Sequence, residues 1–113
     1  MRPVRQTITA TGAGTPVMLD YIKSPFNASF RVTVPGGVTT SYKIEYTLDD
    51  LNDASIASPD WATDANVGAG TAASATGNYM FPIRAVRINV ASLSGGSATL
   101  YLTVLQGGRD SAT

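Results

Sequence analysis

The acidic side chains are concentrated in one segment, where Asp49, Asp50 and Asp53 are followed by Asp60 and Asp64. Carboxylate oxygens at this density are the ligands that Ca²⁺ takes in proteins. Their spacing matches no Ca²⁺-binding loop, however, and Asp is also typical of helix caps and turns. We therefore expect a solvated turn or a single helical turn over residues 49–56, and no metal site.

Other catalytic groups are scarce, because the chain contains no His and no Cys. It cannot form a Ser-His-Asp triad, a Cys nucleophile or a zinc site of the usual ligands. A glycosidase-type pair would need a second carboxylate for Glu45, whereas Lys43 on the same strand face predicts a surface ion pair. We expect no catalytic residue and no cofactor. An enzyme that works with Asp, Glu, Lys or Ser alone would need a buried carboxylate pair.

Glycine motifs and charge exclude further classes of site. Gly12 to Gly14 and Gly68 to Gly70 lack the third glycine, the lysine and the helix of phosphate-binding loops, which indicates turns. Eight basic and eight acidic residues give a net charge of zero, so we expect no binding to nucleic acid or to an anionic membrane surface. No apolar run approaches the 18 residues of a membrane span.

The 113 residues predict one domain with an unusual surface, since only 14% of them are charged, against about 25% in ordinary soluble domains. Glu45 is the only glutamate, and Lys23 and Lys43 are the only lysines. Protein interfaces are depleted in Lys and Glu, but β-proteins also contain few of these helix-favouring residues. Both interpretations stay open at this stage.

The dominant pattern in the sequence is the alternation of apolar and polar residues, which indicates the strands that carry the side chains discussed above. The alternation predicts strands over Phe26–Val34, Thr40–Leu48, Arg84–Val90 and Ala98–Val104, and weaker ones over Arg5–Thr11 and Val17–Lys23. Turns are predicted at Gly12–Gly14, Ser24–Pro25, Pro35–Gly37 and Ser94–Gly96. Six or more short strands with such turns favour an all-β antiparallel β-sandwich, jelly-roll-like in topology.

The same alternation predicts which side chains form the core between two sheets. These are the inward-facing apolar positions of the four clearest strands. They are Phe30, Val32, Tyr42, Ile44, Tyr46, Val86, Ile88, Leu100, Leu102 and Val104.

Three segments stand outside this pattern: an N-terminal arm (residues 1–5), a long loop excursion (residues 49–79) and a C-terminal tail (residues 106–113). Long loops in compact domains are commonly functional, and ordering them costs about 1–2 kcal/mol per residue in backbone entropy. We therefore expect them to contact a partner, with Arg2, Arg5, Trp61 and Tyr79 as candidate contact residues. For Trp61, the single tryptophan, the alternative is that it caps one end of the core.

Five short segments occur in a characteristic order along the chain. Their order is Tyr21–Phe26, Tyr42–Asp50, Ser58–Trp61, Pro82–Val90 and Val104–Gln106. In this order they resemble the all-β capsid decoration, or cement, proteins of tailed bacteriophages. The resemblance implies a jelly-roll-like domain on the outer capsid surface of a virion. There it would bind across major capsid protein subunits and associate with itself as a dimer or trimer.

We therefore expect a non-enzymatic virion structural protein that stabilises the head. The alternative is a carbohydrate-binding or host-attachment module of a virion, which an exposed row of Trp61 with Tyr79 or Tyr101 would favour.

Overall fold

The computed structural model describes residues 3–20, 24–53, 55 and 57–109. These residues form β-strands joined by turns, and no helix among them could span a membrane. The strands are β1 (Val4–Ile8), β2 (Gly12–Ala13), β3 (Val17–Met18), β4 (Ser24–Thr33), β5 (Thr39–Thr47), β6 (Ala62–Thr63), β7 (Ala75–Tyr79), β8 (Ala85–Ser94) and β9 (Leu100–Arg109).

Two antiparallel sheets pack face to face, which confirms the predicted all-β antiparallel β-sandwich. The four-stranded sheet has the order β1-β9-β4-β7, and the five-stranded sheet has the order β2-β8-β5-β6, with β3 also paired to β8. The pairs are nested along the chain. β1 pairs with β9, β2 and β3 pair with β8, β4 pairs with β7, and β5 pairs with β6.

The predicted core is confirmed. Nine of the ten expected side chains are buried, and the tenth, Tyr46, is partly buried and packs against the same cluster. The register explains this agreement, because Phe30 lies opposite Val104 in one sheet and Ile44 lies opposite Ile88 in the other. Each strand of the four therefore directs its apolar positions between the sheets, as its alternation requires.

Two glycine turns close one end of the sandwich as predicted. The turn at Pro35–Gly37 lies against the turn at Ser94–Gly96, and a Cβ added to Gly95 would stand 2.7 Å from the carbonyl oxygen of Gly37. Gly95 also has a φ of +73°, a conformation that side chains disfavour. Glycine is therefore required at this close approach.

The prediction of a turn at Ser24–Pro25 is wrong, because β4 begins at Ser24. The register with β9 shifts between Ser24 and Asn27, and this irregularity accommodates Pro25, which has no N–H for a regular ladder. The strand predicted over Val17–Lys23 is only Val17–Met18 in the structure, and residues 21–23 lie outside the described residues. Gly12 and Ala13, predicted as a turn, pair with β8.

The excursion over residues 49–79 is not the free loop that the sequence predicts, since it contains β6 and β7 and lines the edge of β5. We call residues 62–71 the β5 strap. Ile44 of β5 accepts a hydrogen bond from Asp64 N and donates one to Val67 O, at 2.8 and 3.0 Å. Tyr42 and Thr71 exchange two more. The strap thus satisfies the edge of β5 from within the chain.

The arm and the tail are also shorter than predicted. Val4 and Arg5 belong to β1 and lie opposite Val104 and Thr103, while β9 continues to Arg109 within the predicted tail. Arg2 lies outside the described residues.

Candidate functional site

An ion-pair cluster with an aromatic cover lies on the outer face of the five-stranded sheet. Glu45 is only 6% exposed, and its Oε1 accepts hydrogen bonds from Arg87 Nε at 2.9 Å and Asn89 Nδ2 at 3.3 Å. Lys43 Nζ lies 3.5 Å from Oε2. Trp61 covers the cluster, because the guanidinium carbon of Arg87 stands 4.0 Å from the centroid of the indole ring.

The electrostatics of this cluster favour the ionised carboxylate. Burial by itself would raise the pKa of Glu45, but the hydrogen bonds from Arg87 and Asn89 and the charges of Arg87 and Lys43 lower it below 4.5. The sequence predicted the Lys43 and Glu45 pair, which the structure confirms, but as part of a larger and more buried network. Trp61 neither caps the core nor stands free, since it is half-buried against Arg87.

Arg5 lies on the opposite side of the molecule, on the outer face of the four-stranded sheet. Its guanidinium carbon stands 4.3 Å from the ring centroid of Tyr101. The same face carries Arg31 and an open groove of about 540 Å³ between β4, β7 and β9, and none of its outward positions in the described register is acidic. The side chains of this face are otherwise mostly short and polar.

Tyr79 is not a surface contact residue, and this prediction is wrong. It is 4% exposed and points between the sheets, where its hydroxyl donates a 2.6 Å hydrogen bond to Asp64 Oδ2. The other carboxylate oxygen of Asp64 accepts from the backbone N–H groups of Asn66 and Val67. Burial, with the nearby Asp64 carboxylate, raises the pKa of Tyr79. This contact ties β7 in one sheet to the β5 strap of the other.

The aspartates of the excursion serve its turns, as the sequence predicts. Asp50 accepts from Asn52 N, and Asp49 accepts from Asp60 N across the base of the excursion. Asp53 accepts from both the hydroxyl and the N–H of Ser55, and these bonds lower its pKa. The carboxylates of Asp49, Asp50 and Asp53 are therefore engaged with backbone N–H groups of the excursion, and Asp50 also lies 3.8 Å from Arg84 Nε. No helical turn forms in the described part of residues 49–56, and no group of metal-ligand side chains occurs among the described residues.

An exposed apolar tip is the feature that sequence reasoning missed. We define it as Leu48, at the end of β5, together with Met80, Phe81 and Pro82 in the turn between β7 and β8. Leu48 is 67% exposed, Met80 78% and Phe81 50%. Leu48 and Pro82 line one concavity of about 390 Å³. Its signal in the sequence was the unalternated run Met80-Phe81-Pro82, which interrupts the strand pattern.

One side chain of the apolar tip, Phe81, is packed against other aromatic residues. The ring of Phe81 packs edge-on against Tyr46 and Tyr79, with centroid separations of 5.8 and 5.6 Å. Tyr46 and Tyr79 contact each other at 5.3 Å, and Tyr79 contacts Phe30 in the core. Phe81 therefore packs on an aromatic cluster that continues into the centre of the sandwich.

The fold does not bring the predicted contact residues together. Trp61 and Arg5 lie on opposite outer faces, and Tyr79 lies between the sheets. The comparisons add no assignment: no family model, no curated protein and no solved structure matches this chain.

Proposed function

We propose that the protein is a non-enzymatic structural protein of a phage virion, a decoration protein that binds across major capsid protein subunits on the outer surface and stabilises the head. The observation that carries the proposal is the apolar tip. Leu48, Met80 and Phe81 all expose large apolar side chains, and Leu48 shares a concavity with Pro82, the residue after Phe81, whereas most apolar side chains of this size are buried in the core. An exposed apolar cluster on a soluble domain is typical of a protein contact surface.

The aromatic contacts of Phe81 make the tip suitable for binding a partner. Phe81 is held by ring contacts with Tyr46 and Tyr79, so its side chain is ordered before any partner arrives. Binding then loses less side-chain entropy, and anchors of this kind contribute most of the energy in protein interfaces. Repetition over a symmetric lattice makes modest single contacts sufficient.

The strand order supports the jelly-roll part of the proposal. When β2 and β3 are counted as one interrupted strand, the described residues form eight strands. The first pairs with the last, the second with the seventh, the third with the sixth and the fourth with the fifth. Nested pairing of this kind is expected for a jelly roll, in which one long hairpin is wrapped into two sheets, and jelly rolls are common among viral capsid and lectin domains.

The surface composition agrees with a chain that works in contact with others. The only glutamate, Glu45, is buried in the Arg87 network, and Lys43 is engaged with the same carboxylate. Little Lys or Glu remains at the surface, as is usual for interfaces.

The alternative, a carbohydrate-binding module, needed an exposed row of aromatic side chains. Trp61 and Tyr101 lie on opposite outer faces and Tyr79 is buried between the sheets, so that row is not formed. We do not carry this alternative further.

Retention on capsids that lack the protein tests the proposal. We expect wild-type protein to co-sediment with such capsids, and Leu48→Ser with Met80→Ser to weaken binding by about tenfold or more, because two anchors lose their apolar contacts. Leu105→Ser is the control, since Leu105 is an exposed leucine outside the tip, on the outer face of the four-stranded sheet. Mass spectrometry of purified virions should find the chain at a copy number that follows the capsid lattice. Absence from virions, or equal retention of the tip variant, would overturn the proposal.

A further inference from the structure

The edge of the four-stranded sheet formed by β7 is open. In the described residues β7 pairs only with β4, and the five positions from Ala75 to Tyr79 pair without a register shift. The strand contains no charged residue and no proline. Proteins usually protect an edge of this kind with a charge, a proline or a bulge, because its free N–H and C=O groups can pair with another strand.

The other sheet edges are protected by a charge or a nearby proline, by the short length of their strands, or by a covering segment. β1 carries Arg5 and follows Pro3, and β2, β3 and β6 are only two residues long. The edge of β5 beyond β6 is occupied by the β5 strap. Among the described strands, β7 is therefore the one whose edge is both long enough and unprotected.

We propose that β7 pairs antiparallel with β7 of a second copy of this chain, about a two-fold axis at Gly77, to make a continuous eight-stranded sheet. This inference rests on the self-association included in the proposed function, and it names the edge responsible. Antiparallel pairing of identical strands is isologous, so each residue meets its counterpart across the axis.

The register of this pairing is self-complementary. With Gly77 opposite Gly77, Thr76 lies opposite Asn78 of the second copy on the outer face, and both are small, exposed and polar. On the inner face Ala75 lies opposite Tyr79, a small residue against a large one. Each Gly77 is covered by the ring of Phe30 from its own β4, so no gap forms beneath the glycine pair.

Charge does not oppose the pairing. The nearest basic residue of the face is Arg31, which lies opposite Thr76 on β4. Across the axis the two copies of β4 are three strand spacings apart, about 14 Å. This exceeds the screening length of about 8 Å at physiological ionic strength, so the two arginines repel each other little.

Analytical ultracentrifugation of the free protein tests the inference. We expect wild type to form a concentration-dependent dimer of the 11.7 kDa chain. T76K/N78K places lysine opposite lysine at two sites and should weaken the dimer by about tenfold or more, as should T76E/N78E with like acidic pairs. An equimolar mixture of the two variants should restore the dimer. Thr7→Lys is the matched control, because Thr7 is an exposed threonine on the other edge strand of the same sheet.

Asn78 donates hydrogen bonds to Asn27 and Ser29, so each double variant is first checked for cooperative thermal unfolding. If a double variant does not fold, Thr76→Lys alone is compared with Thr7→Lys. A monomeric wild type, a trimer, or a dimer that T76K/N78K leaves intact would overturn the inference. These results are separable from the proposed function: a monomer that still binds capsids refutes only the edge pairing, and a dimer that does not bind capsids refutes only the decoration role.

Discussion

Replacing Tyr79 by Phe removes one hydroxyl group and keeps the ring, so the substitution isolates the hydrogen bond that ties β7 to the β5 strap. The donor and acceptor are 2.6 Å apart, and Asp64, like Tyr79, is buried. A hydrogen bond to a charged group contributes about 1.5–3 kcal/mol, and its loss leaves a buried carboxylate oxygen without this donor. We expect Tyr79→Phe to lower the free energy of unfolding by about 2 kcal/mol. For a domain of this size that corresponds to a fall in Tm of about 8 °C.

Equilibrium unfolding in urea measures the effect, with Tyr101→Phe as the matched control. Tyr101 is half-exposed, and its hydroxyl donates no hydrogen bond within the described part of the chain, so its loss should change the free energy by less than about 0.5 kcal/mol. Equal values for the two variants at an unchanged m-value would refute the idea that the hydrogen bond from Tyr79 to Asp64 stabilises the attachment of β7 to the β5 strap.

Three further predictions concern the core and the buried titratable groups. The pKa of Glu45 is lowered in the folded state, so its contribution to stability is present above about pH 4.5 and is lost as the pH falls through the folded pKa. The difference in unfolding free energy between wild type and Glu45→Gln should therefore shrink on acidification. Urea unfolding at several pH values measures this difference. Gly77→Ala places a Cβ against the ring of Phe30 and should cost about 1–3 kcal/mol in thermal unfolding, whereas Gly36→Ala, which meets no atom within 4 Å, should not. Burial raises the pKa of Tyr42 to about 12, so its contribution to stability is present below about pH 10 and is lost as the pH rises toward 12. Phenolate absorbance should show a tyrosine that titrates near pH 12, and Tyr42→Phe should remove that step but not the late titration of Tyr79, whose pKa is also raised.

How much of this molecule can be predicted from its residues depends on the strength of the local alternation. β4, β5, β8 and β9 carry large apolar side chains at every second position, and burying them on one face admits a single register. Their strands, their core positions and the glycine turns between them follow from the sequence. The turn role of Asp50 and Asp53 follows as well, because a short carboxylate beside its own backbone needs no distant partner.

β7 was missed because two of its three inward positions are Ala75 and Gly77, which bury almost nothing of their own, so Tyr79 is left as the single large inward side chain. The place of β7 in the sheet depends on Phe30, 47 positions earlier, whose ring fills the space above the missing Cβ of Gly77. The alternation of residues within β7 cannot show that a side chain of another strand fills the space beside Gly77. The edge proposed for self-association was therefore invisible before the fold was known.

The two-sheet β-domain, its principal strands and its apolar core can be predicted from the residues alone, because burial of every second residue is a local property of each strand. Only the tertiary structure decided where the isolated polar and aromatic residues lie. It buried Glu45 by bringing Arg87 and Asn89 beside it from a strand more than 40 residues away. It turned Tyr79 inward to Asp64, and it left Leu48, Met80 and Phe81 exposed at one end. Those positions depend on which strands become neighbours, because burial and pairing of a single side chain are set by contacts between distant segments.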